Sequence, residues 1–125
     1  MSREEDMLDR EIEAAVRAHG HVRPPWIEFP GRPRFTSFWY VGGAGEWHLA
    51  VWLRWWQRHL AEEAARLEYF REHPPPTSWL DWAATAVWPE LDEDGDAIDE
   101  AVRRLAAAGL GSFERWCAWM SEEPG

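Results

Sequence analysis

The 125-residue chain has no lysine: all 13 of its basic residues are arginine, set against 23 Asp and Glu for a formal net charge of −10. Nucleic-acid binding relies on Lys and Arg to neutralise phosphates, so this balance argues against direct contact with nucleic acid. Cysteine is nearly absent. Cys117 stands alone and cannot close an intramolecular disulfide, and no basic segment followed by an apolar one marks a signal peptide, so a cytoplasmic setting is expected. Long apolar runs are missing as well. The longest, Trp47 to Trp56, is interrupted by His48 and Arg54 and falls short of the ~20 residues of a membrane span. Internal repeats and reaction motifs are also lacking. There is no G-x-x-x-x-G-K-[ST] and no H-E-x-x-H, and a G-x-G-x-x-G register begun at Gly43 ends on His48.

What the chain does have is tryptophan, 11 of them, and an uneven distribution of charge. From Asp81 onward, eleven acidic residues face only Arg103, Arg104 and Arg115, a balance of −8 that leaves −2 for the first eighty residues. A basic protein partner is the natural complement of such a half. The length suits one domain, 1–125, able to bury a core without disulfides or a metal.

The pattern predicts a mainly α fold of about five helices around a long central one, Glu46 to His73, bounded by Gly42–Gly45 and by Pro74-Pro75-Pro76. At 100° per residue, Leu49, Trp52, Leu53, Trp56, Leu60, Ala64, Leu67 and Phe70 share one face, the expected core stripe. Trp47, Val51 and Trp55 run down nearly the opposite side. Residues 1–20 read as a peripheral helix capped by Ser2 and stopped by Gly20. Four prolines between His21 and Val41 exclude a continuous helix, leaving an extended aromatic arm or a short hairpin turning at Pro30-Gly31. A third helix is expected from Thr77 or Ser78 to about Val87. An acidic linker (90–96) precedes a fourth helix, Asp96 to Ala108, with stripe Ile98, Ala101, Val102 and Leu105 and wet-side pairs Asp99/Arg103 and Glu100/Arg104. Ser112 caps a last helix whose inner face is Phe113, Trp116, Cys117 and Met120.

Trp52, Trp56, Trp79, Trp82 and Trp116 lie on inner stripes and are expected in the core. Trp55, Trp88 and Trp119 lie off them and are the candidate aromatic anchors of a recognition surface. The acidic surface comprises Glu90, Asp92, Glu93, Asp94, Asp96, Asp99 and Glu100. As a calcium loop this run fails, because with Gly95 at position six, position twelve is Ala101 where a bidentate Glu is required. His48 and His59 are three turns apart, too far to share a metal. No metal site, cofactor or catalytic residue is therefore expected. The leading expectation is a non-enzymatic module, of the inhibitor or immunity kind, that occupies a basic nucleic-acid-binding surface of a partner protein. The alternative is a small-ligand binder whose pocket, lined by Trp26, Trp39, Trp47 and Trp55, lies between the 21–41 arm and the central helix and suits a planar, sugar-like or cationic molecule. Leftover aromatic surface makes a homodimer a further option.

Overall fold

Residues 2–91 and 95–122 are described by the computed structural model, and the fold is mainly α. Among these residues there are seven α-helices and no strand: α1 (Arg3–His19), α2 (Pro25–Glu28), α3 (Ala44–His59), α4 (Glu63–Glu72), α5 (Leu80–Val87), α6 (Gly95–Ala107) and α7 (Phe113–Glu122). The chain, read from its length as one domain, divides into two compact units, Met1–Ala61 and Glu62–Gly125.

In the first unit, α1 is specified at both ends by its sequence. The Ser2 hydroxyl accepts the Glu5 N–H at 3.1 Å, acidic residues fill the first turn, and Gly20 closes the helix with its own N–H on the Val16 carbonyl. Leu8 and Ile12 are buried, whereas Ala15 is half-buried and Val16 is 39% exposed, so only the first half of the apolar side of α1 is inside. An ionic clamp fixes α1 to α3. Arg54 Nε donates to Asp9 Oδ1 at 2.8 Å, and Arg58 Nη1 reaches the same oxygen at 2.9 Å. The Arg54 hydrogen bond holds the Asp9 carboxyl below its ordinary value of 3.8, against a smaller opposing effect of desolvation. A depressed carboxyl favours the folded state above the unfolded value and loses that contribution as pH falls through the folded one. Wild type should therefore exceed Asp9→Asn in urea midpoint at neutral pH, with the gap closing in acid below about pH 4. A gap that persists unchanged to pH 2 would sever this link.

The 21–41 segment is neither a hairpin nor a plain extended arm. Pro25 sits at the first position of α2, where its missing N–H costs nothing. A 3₁₀ turn follows at Ser37–Trp39. Trp39 is buried, and its Nε1–H donates to the Pro33 carbonyl at 2.9 Å. Phe29 meets Phe38 edge to face at 5.0 Å and Trp39 at 6.0 Å, so the proline-rich stretch is organised by an aromatic cluster rather than by strand pairing.

Helix α3 begins with an unusually close approach. Gly45 is buried, and a Cβ placed there would lie 2.6 Å from both the Phe38 carbonyl oxygen and its ring. Farther along, Trp52 and Trp56 stack with centroids 4.5 Å apart and an interplanar angle of 22°. Val51 and Trp55 are buried, whereas Leu53 is 48% exposed. The buried arc thus takes in the second stripe and excludes a residue of the first.

The long central helix expected from Glu46 to His73 is two helices. At Leu60 the backbone turns to φ −125°, ψ 72°, and Glu62 is extended before α4 begins. Ala64, expected inside, is exposed; Tyr69 and Phe70 supply the buried face, flanked by half-buried Arg66 and His73. The reason lies in the second unit. Arg66 Nη1 donates to the carbonyls of Ala86 and Val87, each at 3.2 Å, satisfying the open C-terminal end of α5. Trp88 Nε1–H donates to the Glu63 carboxylate. These partners set the start of α4, and they outweigh the helical propensity of Leu60-Ala-Glu-Glu.

Helix α5 follows a 3₁₀ turn at Thr77–Trp79 and packs closely on α6, with Ala83, Ala84 and Ala101 fully buried. Small residues on facing helices allow this approach. Val102, Leu105, Leu110 and Trp116 complete the core of the second unit. Trp79 is buried as expected; Trp82 is half-buried and meets it edge to face at 5.4 Å. Ser112 caps α7, its hydroxyl accepting the Arg115 N–H at 3.2 Å. Only Trp116 is fully inside on that helix. Cys117 is half-buried and Met120 is 42% exposed: against the Thr77–Trp79 turn and α6, this ten-residue helix buries a narrower stripe than its apolar spacing predicts.

Candidate functional site

Two regions remain as candidates, one in each unit. In the second unit, Glu90 is exposed on the 3₁₀ turn Pro89–Leu91, Asp96 and Glu100 are exposed on α6, and Asp99 is half-buried there. Asp92, Glu93 and Asp94, also assigned to this surface, lie outside the described residues. The nearby arginines are engaged by aromatic rings. Arg103 lies over Phe113 at 4.4 Å, and Arg104 lies over Trp88 at 5.8 Å while bonding Glu100 at 3.4 Å. Of the two helix pairs expected, Glu100/Arg104 forms; Asp99/Arg103 gives way to the Phe113 stack. Asp96, in the first turn of α6, takes no part in these contacts, whereas Glu100 is paired with Arg104.

The aromatic anchors expected beside this surface are largely unsuited to the role. Trp55 and Trp88 are 6% and 7% exposed, so neither presents a ring to solvent. Trp88 turns inward because Glu63 takes its indole N–H, a partner 25 positions away that no local pattern shows. Trp119 on α7 is half-buried and, with the exposed Met120, keeps some accessible apolar surface.

In the first unit, a cavity of about 230 Å³ lies among α1, the 22–28 segment and α3. Glu11, Ala14, Ala15, Ala18 and His19 line it from α1; Val22, Arg23 and Glu28 from the segment; Trp47, His48 and Val51 from α3. Of the tryptophans expected around a pocket, only Trp47 lines this one. Trp26 and Trp39 belong to the aromatic segment, and Trp55 is buried. Comparison with protein-family models, curated proteins and solved structures finds no match.

The polar lining is built by one local fold. Pro24-Pro25 starts α2 abruptly and brings Arg23 and Glu28 together: Arg23 Nη2 and Nε both bond Glu28 Oε1, at 2.9 and 3.1 Å. The Arg23 carbonyl then meets His48 Nε2 at 2.8 Å. A carbonyl only accepts, so Nε2 carries the proton and donates. Burial pulls the His48 imidazole below the usual histidine value, outweighing the support of that hydrogen bond, so the ring is neutral at pH 7. Phe29 covers it edge to face at 5.8 Å. His48, too far along the chain from His59 to share a metal with it, belongs instead to this network. The signal that could have found this network is the Arg23–Pro–Pro–x–x–Glu28 spacing, in which the prolines force a turn between opposite charges. No group of three or more His, Cys, Asp or Glu suited to a metal ion occurs among the described residues, and none of those residues forms a helix long and apolar enough to cross a membrane.

Proposed function

We propose that this protein is a non-enzymatic, cytoplasmic interaction module that docks on a basic surface of a partner protein through the acidic end of its second unit. The observation that supports this reading is the charge distribution: −8 of the total −10 falls from Asp81 onward, and Asp96, Glu100 and Glu90 are solvent-exposed. A surface of one sign steers an oppositely charged partner and selects against wrong ones. The partner surface that fits best is one that otherwise binds nucleic acid, since such surfaces concentrate Lys and Arg. Occupying it would make this chain an inhibitor, of the kind represented by nuclease immunity proteins. Exposed Met120 and half-buried Trp119 on α7 offer apolar and aromatic surface in the same unit.

The test is to capture the partner from the native host and measure its association rate across ionic strength. Electrostatic steering predicts about a tenfold or greater fall between low and high salt. An association rate independent of salt would exclude the mechanism.

A further inference from the structure

We infer that the cavity of the first unit is a binding site for a small organic cation, an ammonium carrying an apolar ring or short chain. This site is independent of the acidic surface, which belongs to the other unit. At about 230 Å³ the cavity is smaller than the ~300–1,000 Å³ of pockets that take drug-sized molecules, which limits the ligand to a compact one. Its chemistry then selects the charge.

The apolar part is supplied by Trp47, Val51 and Val22, with small alanines of α1 leaving the space open. The polar part is net acidic. Arg23 is consumed by Glu28, and both of its bonds fall on Oε1, leaving Oε2 outside the fork. His48 is held neutral, with its Nε2–H committed to the Arg23 carbonyl. Glu11, exposed on α1, is outside the Arg23–Glu28 pair, and His19 is the remaining polar residue of the lining. An anion would meet two carboxylates and one arginine already engaged. A cation finds two carboxylate side chains and the half-buried Trp47 indole among the lining, residue types that together recognise ammonium groups.

The experiment uses the whole chain and three probes of one shape: benzylamine, benzyl alcohol and benzoate. Binding is read by ¹H–¹⁵N NMR at the Trp47 indole N–H, assigned through Trp47→Phe, and at the His48 ring. Benzylamine is expected to give saturable shifts at both, about tenfold tighter than benzoate. Glu11→Gln should weaken benzylamine roughly threefold, the scale of an exposed charge contact. Ala18→Phe is placed at an exposed position of α1, so the fold should tolerate it, and it should abolish the saturable shifts by filling the space. Benzoate binding as tightly as benzylamine, shifts that survive Ala18→Phe, or no saturable shift with millimolar benzylamine would each overturn the assignment.

Discussion

Replacing Trp52 with alanine should cost the protein about 3–5 kcal/mol, the range for removing a buried aromatic and leaving a hole. Trp52 is 1% exposed and stacks on Trp56, so its loss removes both the burial and the ring pair. Against a total stability of about 5–15 kcal/mol for a typical domain, that is enough to bring the first unit near its unfolding threshold. Leu53→Ala is the informative companion. Leu53 shared the expected core stripe with Trp52, yet it is 48% exposed, and its truncation should shift stability by less than about 1 kcal/mol. Urea denaturation of the two variants measures the contrast. Comparable losses would mean that the inward face of α3 has been misassigned.

Gly45→Ala carries the second large effect, and its sign is what makes it diagnostic. Helix propensity alone favours alanine over glycine inside a helix by about 1 kcal/mol. The structure reverses this. The new methyl would sit 2.6 Å from the Phe38 carbonyl oxygen, a backbone atom that cannot swing aside, and 2.6 Å from the Phe38 ring. Overpacking of this sort costs about 1–3 kcal/mol. Gly43→Ala, two residues earlier, is the control. Its φ of −95° suits any residue and a Cβ there meets nothing within 4 Å, so no clash arises and the change should cost less than about 1 kcal/mol, the loss of a glycine N-cap. Thermal unfolding of the pair decides between propensity and packing. Stabilisation by Gly45→Ala would show that Phe38 does not press on the start of α3.

These two pairs mark how far the sequence could be read. The helices with explicit end signals were legible: Ser2 and Gly20 bracket α1, Ser112 starts α7, and the Ala101, Val102 and Leu105 stripe gives the inner face of α6. The start of α3 was not, because a helix apolar almost all round does not say whether Leu53 or Trp55 turns inward. The break at Leu60 was hidden for a different reason. Leu60 to Glu63 contains no Gly or Pro, and the contacts that position α4, Arg66 on the α5 carbonyls and Glu63 on Trp88, join residues 20 or more positions apart. The same long-range bond removed Trp88 from the recognition surface. The cavity network escaped because the Pro24-Pro25 turn brings only Arg23 and Glu28 together, while His48 joins from α3 through a hydrogen bond 25 positions away.

The functional reading rests on Asp96 and Glu100 acting as charges that a partner feels before contact. The most direct measurement is the association rate of the captured partner with wild type and with the Asp96→Arg, Glu100→Arg double variant at low salt. Both positions are exposed on α6, so charge reversal should leave the fold intact, as circular dichroism would verify. The account predicts an association rate at least tenfold slower for the variant, with the difference shrinking as salt is raised. Equal rates for the two proteins at low salt would contradict it.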